Sequence, residues 1–417
     1  MLPPASRALP PLGDLTLPGE SSTTVRALLS AAVRQAIAVA RAIGSRPTSE
    51  AAVIFRRSVL PALSRDPGLL ASAMLQPSRL VLARVLAFDG DAPAAARARW
   101  EAELATLLAV DAGLAGKLGR EVALFEGPTR LVVERLGLAL DVPNAREWRI
   151  GDAEIEAVTT AGRARIGWGE SVETAERALA SIGGRALASR APVRDGVDLV
   201  LVDNNPLSSL EAHPDKAGNA VDLGGREASA WTSALGAALA VIDDLLPEIA
   251  AEMRLVLRHL VPVGWDAEKH LSASYLEAIG VVYLTLHPHE MTLVEALVHE
   301  FQHNKLNLAL GFDPLMENGE SPLYASPVRP DPRPLRGVLL AVHAFQPIAI
   351  LYERLLARGD RPDRAWLEKR LRQIARTCRE GCDVLLPNAV PTAAGGPLFD
   401  ELRSLDQHLA PWLDGGK

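Results

Sequence analysis

Two histidines that flank a glutamate are the residues of this sequence with the clearest chemical potential. His299, Glu300 and His303 form the pattern HExxH within "TLVEALVHEFQHNKLNLAL", which begins at Thr292. Residues four apart on a helix lie on one face, roughly 6 Å apart at Cβ, so both imidazoles can direct a ring nitrogen at one metal ion. The pattern also arises by chance, in which case both histidines are ordinary helix residues. A metal site therefore needs a third ligand.

The third ligand is expected outside the motif. Leu306 and Ala309 occupy the glycine and histidine positions of the metzincin pattern HExxHxxGxxH, which excludes that class. His343 lies in the apolar stretch "LLAVHAF", where an imidazole without a partner costs roughly 1–3 kcal/mol and metal ligation would remove that cost. Glu353 is a second candidate, although its neighbour Arg354 favours a solvated ion pair. The other open candidates are the carboxylates Asp313, Glu317 and Glu320.

Three arginines precede His343 in the proline-spaced stretch "YASPVRPDPRPLRG", namely Arg329, Arg333 and Arg336. The prolines keep this connection extended, and Arg336 precedes His343 by two helical turns on nearly the same face. Guanidinium groups recognise carboxylates through paired hydrogen bonds, so the three arginines could hold a carboxylate ligand beside the metal. The alternative is that each arginine pairs with Asp331 or with solvent.

The region of the site is predicted to combine one strand with two long helices. An apolar, β-branched run over Gly280–Leu286 predicts a strand that leads directly into the HExxH helix, for which Thr292 is the predicted N-cap. The following helix carries His343, with Pro334 as its first residue, and two shorter helices are predicted to close the chain. A strand followed by a HExxH helix is the zincin-like context found in zinc metallopeptidases.

The whole chain is predicted to contain three regions. We predict a helical N-terminal region over residues 1–120, a β-containing middle region over 121–225 and a HExxH metal-site domain over 226–417. Alanine- and leucine-rich runs at helical spacing support the first, and short apolar runs bounded by Gly, Pro and Asn support the second. In the third, Glu227–Leu257 predicts a long helix with a kink at Pro247. The predicted fold class is therefore α+β and mainly helical.

Composition limits the classes of function. The 417 residues include 44 basic and 51 acidic ones, a formal charge of -7, which offers no basic surface for nucleic acid or an anionic membrane. Cys378 and Cys382 stand one helical turn apart, where a disulfide is awkward, so both are predicted to be reduced core thiols. The proline-broken start lacks the continuous apolar segment of a signal peptide, and we expect a cytoplasmic protein. The sequence leaves the oligomeric state open.

The order and spacing of these motifs resemble a known family, the HEXXH-motif peptide-modification proteins encoded beside ribosomally synthesised peptide precursors. The resemblance rests on "SASYLEAIGVVYLTL", "LVEALVHEFQHNKLNLAL", "DPLM" and "YASPVRPDPRPLRGVLLAVHAF". It covers about Leu271–Glu353. The helical N-terminal half is similar to the family only in general character.

The resemblance implies an iron(II)- and 2-oxoglutarate-dependent dioxygenase, an oxidoreductase that hydroxylates a β-carbon of a residue in the precursor peptide. It implies that His299 and His303 ligate iron with His343 as the third ligand, and that Glu300 is a supporting or proton-handling group. The carboxylates of 2-oxoglutarate would be held by the arginines Arg329, Arg333 and Arg336.

Two other classes of protein remain open. A zinc metallopeptidase uses the same helix with Glu300 as general base, and three imidazoles suit zinc as well as ferrous iron. A non-catalytic peptide-binding protein could retain a relic metal site. The arginine-rich stretch and His343 favour the oxygenase, because a peptidase has no need of a clamp for a keto acid. The sequence does not define which peptide, or which of its residues, is modified.

Overall fold

The chain forms two compact units in a computed structural model, which describes residues 12–19, 23–45, 49–88, 93–125, 127–206, 220–359 and 362–413. Within these residues, the first unit is built from Ala31–Asp222 with Arg258–Val263, and the second from Leu223–Leu257 with Gly264–Lys417 and the chain up to Ser30. Helices make up 53% and strands 16%, which confirms an α+β fold that is mainly helical. The division into three sequence regions stays a prediction.

Helices form the N-terminal part of the described chain, and from Ala31 onward they belong to the first unit. Their bounds are α1 Thr23–Ala42, α2 Glu50–Ile54, α3 Leu60–Ser64, α4 Pro67–Met74, α5 Pro77–Phe88 and α6 Ala94–Leu114, with a π-helical turn over Phe55–Val59 between α2 and α3. Alanine and leucine at three- and four-residue spacing give these helices apolar faces to bury. The central part of α6, from Trp100 to Gly113, is buried almost throughout, and α6 is therefore the core helix of this unit.

Short strands complete the first unit. Their bounds are β1 Val122–Phe125, β2 Arg130–Val133, β3 Leu138–Asp141, β4 Glu147–Ile150, β5 Glu154–Val158, β6 Arg163–Gly167, β7 Arg185–Ala188, β8 Arg190–Arg194, β9 Val197–Val200 and β10 His259–Trp265, with helix α7 Val172–Ala180 between β6 and β7. One antiparallel sheet has the order β1-β4-β5-β6 and another has the order β2-β3-β7. Strand β9 pairs antiparallel with β8 and parallel with β10.

Helices surround one buried strand in the second unit. The bounds are α8 Ala228–Leu245, α9 Pro247–Val256, β11 Ser272–Ala273, β12 Val281–Leu286, α10 Glu290–Leu310, β13 Leu323–Tyr324, β14 Arg333–Pro334, α11 Leu335–Leu356, α12 Arg364–Asn388 and α13 Gly396–Leu409. Every residue of β12 is buried, as its apolar sequence predicts. Strand β12 pairs antiparallel with β11, which places Ser272 opposite Leu284. Strand β12 then leads into α10, the helix that carries the motif.

The predicted positions of several helix ends need correction. Helix α10 begins at Glu290, with His289 before it and no side-chain cap, so Thr292 lies within the first turn and is not the N-cap. Helix α11 begins at Leu335, and Pro334 precedes it. The predicted kink at Pro247 is a complete break between α8 and α9, because proline has no N–H for the helical ladder.

The end of the chain also differs from the prediction of two shorter helices. Helix α12 has 25 residues against the 22 of α11, and it is followed by α13. Cys378 and Cys382 lie on α12 as free, buried thiols, as predicted. Most of the proline-broken start, residues 1–11 and 20–22, lies outside the described part of the chain.

One described helix meets the length and hydropathy of a membrane span. It is α11, and 78% of its most apolar window is buried within the protein, as in the core helix of a globular domain. Helices α4 and α5 meet the same criterion only when joined across a bend of 87°.

Candidate metal site

The two motif histidines share one face of α10. Their ring centroids are 4.4 Å apart and their planes meet at 79°, so His299 and His303 are edge-to-face neighbours. A helical rise of about 1.5 Å per residue and the four-residue interval bring them together, as the motif spacing predicts. The structure therefore brings together two of the predicted ligands.

Burial keeps both imidazoles neutral. It lowers the pKa of His299 to about 4, with a smaller contribution from the charge of His303, against the opposing pull of the carboxylates of Glu300 and Glu295. Burial alone lowers the pKa of His303 to about 4. Neutral imidazole is the form that binds a metal ion. The Nδ1 atom of His303 is buried and has no hydrogen-bond partner among the described residues, so the pair offers a ligand nitrogen that the protein leaves unsatisfied.

The glutamate of the motif faces a different part of the second unit. Its Oε1 accepts a hydrogen bond from Ser272 Oγ at 2.7 Å, and its Oε2 accepts one from Ser274 Oγ at 2.8 Å. One turn later, Asn304 accepts a hydrogen bond from the backbone N–H of Gly280 at 2.7 Å. This face of α10 is thus fixed to β11 and to the start of β12. With only 3% of its surface exposed, Glu300 is held by the protein at both oxygens.

His343 is fully buried on α11. Neither of its ring nitrogens makes a hydrogen bond of good geometry with a described residue, and the polar group nearest to satisfying one is the backbone of Leu15. Burial lowers its pKa well below the ordinary value, and the charges of Lys305 and His303 act in the same direction, whereas the nearby backbone of Leu15 opposes them. This histidine is near enough to His303 to sense its charge, and it has the unsatisfied nitrogens expected of a ligand.

Among the described residues, His343 does not form a complete metal site with His299 and His303. The α11 residue that packs on His299 is Phe345, with ring centroids 5.0 Å apart. Residues two apart on a helix point about 200° apart, so α11 turns Phe345 rather than His343 toward His299. Across the described ranges, no group of three His, Cys, Asp or Glu side chains is arranged to hold an ion. The third ligand stays a prediction.

The competing carboxylates have other partners. Glu353 accepts hydrogen bonds at its two oxygens from His408 Nε2 at 2.7 Å and from Trp412 Nε1 at 3.1 Å. Asp313 accepts the backbone N–H of Leu315 at 2.7 Å and also bonds to a threonine hydroxyl. Both carboxylates thus have hydrogen-bond partners in the second unit.

The three arginines lie on a partly exposed connection. Arg333 pairs with Asp331 at 2.9 Å, and Arg336 pairs with Glu320 at 3.0 Å. The backbone N–H of Arg329 donates to Ser326 Oγ at 3.2 Å. The side chains of Arg333 and Arg336 are 43% and 42% exposed, so each would have to exchange a solvated carboxylate partner for a ligand.

Sequence reasoning overlooked a partly buried acid near His299. Glu295 lies one turn before His299 on the same face of α10. Arg370 donates to both of its oxygens, at 2.9 and 2.5 Å, and Tyr352 OH donates to one of them at 2.5 Å. The spacing ExxxH could have indicated Glu295, but its partners lie on α11 and α12 and cannot be read from the motif.

Sequence reasoning also missed a buried ion pair between α10 and α9. Lys305 Nζ lies 2.6 Å from Glu252 Oε2, and both side chains are fully buried. A lysine two residues after a motif histidine gives no indication of this, because its partner comes from α9.

The comparisons with known proteins add no relative. The chain matches no protein-family model, and it matches no curated protein.

Proposed function

We propose that this chain is an iron(II)- and 2-oxoglutarate-dependent hydroxylase that acts on a β-carbon in a ribosomally made precursor peptide. We further propose that it belongs to the HEXXH-motif peptide-modification family, works in the cytoplasm and builds its site from a zincin-like strand and helix. The observation that carries the proposal is a pair of neutral, partly buried imidazoles beside a glutamate that the protein holds at both oxygens. The motif resemblance supports the choice of reaction.

The contacts of Glu300 favour oxidation over hydrolysis. In a zinc metallopeptidase the motif glutamate takes a proton from the metal-bound water, so its carboxylate must be free to face that water. Here Ser272 and Ser274 occupy both oxygens. An oxygenase needs no general base at this position, and a glutamate that fixes α10 to β11 serves it by holding the histidine face in place.

The residues fit a metal ion in part. His299 and His303 would hold it through neutral imidazoles, and His343 is the proposed third ligand because its two nitrogens are buried without partners. When bound, iron would supply the oxidising chemistry, with 2-oxoglutarate as the co-substrate. The chain contributes orientation and exclusion of water: Phe345 packs on His299, and Glu300 anchors the helix.

The proposed clamp for 2-oxoglutarate is Arg336, supported by Arg333 and Arg329. A dicarboxylate would replace Glu320 and Asp331, the acidic partners that these side chains now hold. Arg336→Ala should therefore leave the metal bound and weaken binding of 2-oxoglutarate, measured by calorimetry on the metal-loaded protein. Arg354→Ala, which removes an arginine of similar exposure paired with Glu248, is the matched control.

The test is an aerobic incubation of purified protein with ferrous iron, 2-oxoglutarate and a precursor peptide encoded beside it. A peptide heavier by one oxygen atom, with one succinate formed per peptide, supports the proposal. An anaerobic reaction and one without 2-oxoglutarate should each give no product. Peptide cleavage by zinc-loaded protein without 2-oxoglutarate would instead establish the metallopeptidase, and the absence of any bound metal would favour a binding protein.

A further inference from the structure

A cavity of about 540 Å³ opens in the first unit. Ligand sites for small molecules commonly have volumes of about 300–1,000 Å³, so it is large enough for an amino acid or a side chain of a peptide. Its wall combines one face of α6, Gly127–Thr129 before β2, and Asp203–Pro206 after β9. None of the predicted metal or cofactor residues lines it.

The least exposed part of the wall is acidic and aromatic. Trp100, Asp203 and Asn205 are 6%, 3% and 5% exposed. Glu103 lies one turn after Arg99 on the same face of α6, and its carboxylate has no hydrogen bond or ion pair among the described residues. Burial raises the pKa of Glu103 to about 7, with Arg99 and Arg79 acting against it. A positive group placed here would stabilise the carboxylate that burial destabilises.

The basic groups of the wall are the more exposed ones. Arg130 pairs with Asp141 at 2.7 Å across the β2–β3 ladder, so its charge is already balanced. Arg99 is exposed and forms no ion pair within the described ranges. The cavity therefore presents the indole ring of Trp100 and the carboxylate of Asp203, which also accepts the backbone N–H of Asn205, in its buried part. The partly buried carboxylate of Glu103 and the exposed guanidinium of Arg99 complete the polar part of the wall.

We propose that this cavity binds the side chain of a lysine or arginine. The cationic head lies against the ring of Trp100 and the carboxylates of Glu103 and Asp203, and the carbonyl or carboxylate of the same ligand residue meets Arg99. An indole face with carboxylates around it attracts ammonium and guanidinium groups through cation–π attraction and charge-assisted hydrogen bonds. An anion would meet Arg99 and an Arg130 that Asp141 already balances, and it would face the carboxylates of Glu103 and Asp203, which disfavours it.

The ligand could be a free basic amino acid or a basic residue within a peptide, and titration calorimetry separates the two. The probes are Nα-acetyl-lysine methylamide, the matching arginine compound, free lysine, and Nα-acetyl-norleucine methylamide as the uncharged control. We expect the charged compounds to bind at least about tenfold more tightly than the norleucine compound. Tighter binding of the capped compounds identifies a peptide ligand, and tighter binding of free lysine identifies an amino acid.

Variants of the wall test whether the ligand binds in this cavity. Glu103→Gln should weaken binding of the lysine compounds by about tenfold or more, because it removes charge with little change of shape. Glu121→Gln removes the same charge from an exposed residue outside the cavity and should leave binding unchanged. If Glu103→Gln fails to fold, Trp100→Phe, which keeps an aromatic ring but weakens the cation–π attraction, takes its place. Equal binding of lysine and norleucine compounds, no binding of either, or equal effects of Glu103→Gln and Glu121→Gln would overturn the proposal.

Discussion

The Lys305–Glu252 pair allows a stability prediction with a defined magnitude. Both side chains are fully buried, and Nζ and Oε2 are 2.6 Å apart. Removal of one partner from a buried pair leaves an uncompensated charge and typically costs about 3–5 kcal/mol. Lys305→Met keeps most of the volume and removes the ammonium, so we expect a loss of about that size in the free energy of unfolding at pH 8.

The loss should be smaller at low pH. Burial already raises the pKa of Glu252 above its ordinary value of 4.5, and Lys305 is the main group that counteracts it. Without the lysine, the folded-state pKa rises further. An acid with a raised folded-state pKa binds more protons when folded, so stability falls as pH rises from the unfolded value through the folded one, by up to about 1.4 kcal/mol per pH unit. The cost of Lys305→Met at pH 5 should therefore be less than at pH 8.

The assay is urea unfolding of metal-free protein at the two pH values, with hydrogen exchange of α9 and α10 to report on the second unit separately. Arg254→Met is the control, since it removes a cation on α9 from an exposed pair with Asp243 and should cost less than about 1 kcal/mol. The double variant Lys305→Met with Glu252→Leu removes both charges and should recover most of the loss. A cost below about 1 kcal/mol for Lys305→Met at pH 8, or a double variant no more stable than the single one, would refute the reasoning.

The remaining predictions concern the metal and a second acid, the partly buried Glu401. His299→Ala and His303→Ala should each abolish metal retention, measured by elemental analysis, and stoichiometric metal in either variant contradicts the site. Glu300→Gln should retain metal and part of the turnover, because Ser272 and Ser274 hold it away from a base role; complete loss with metal bound would indicate hydrolysis. His343→Ala should release the metal, and retained metal would show that this histidine only fills the core. Burial raises the pKa of Glu401 from 4.5 to about 7. The folded protein therefore binds more protons, and its stability falls by about 3 kcal/mol in total as pH rises through that window. Glu401→Gln should flatten the pH dependence of the melting temperature between pH 5 and 8, and an unchanged slope would count against it.

Local patterns in the sequence define much of the second unit. The run Gly280–Leu286 becomes strand β12 over Val281–Leu286, and the motif helix follows directly. Such elements are predictable because their apolar spacing matches the period of one secondary structure. The prolines mark helix boundaries for a similar local reason: Pro247 interrupts a helix, and Pro334 precedes one.

The length of α12 could not be predicted from such local patterns. Its sequence is rich in charge and contains Gly381, which weakens a helix by itself. In the structure, a Cβ at Gly381 would lie 2.5 Å from a side-chain carbon of Val342 on α11. The glycine therefore permits the close approach of two helices, and the packing compensates for its low helix propensity. This information is tertiary, so the sequence predicts a shorter helix than the chain forms.

The histidine pair and the proposed third ligand differ in predictability for a geometric reason. His299 and His303 lie on one helix, and their spacing alone sets their separation. The position of His343 relative to them depends on the rotation of α11 about its axis, which the packing of many side chains determines. The contact of Phe345 with His299 is one result of that rotation.

The polar residues of α10 give the strongest structural reason to expect a ligand. Glu300 and Asn304 bond to β11 and to the start of β12, and Lys305 pairs with Glu252. These groups are buried and supplied with partners, which is the usual condition of polar atoms in a protein interior. The motif pair is one exception, since His299 and His303 contact each other edge to face as neutral rings and leave a buried nitrogen of His303 unsatisfied, and Gln302 Oε1 is another. A helix whose buried charged groups have partners, but whose motif pair leaves a ring nitrogen unsatisfied, fits the metal site that we propose.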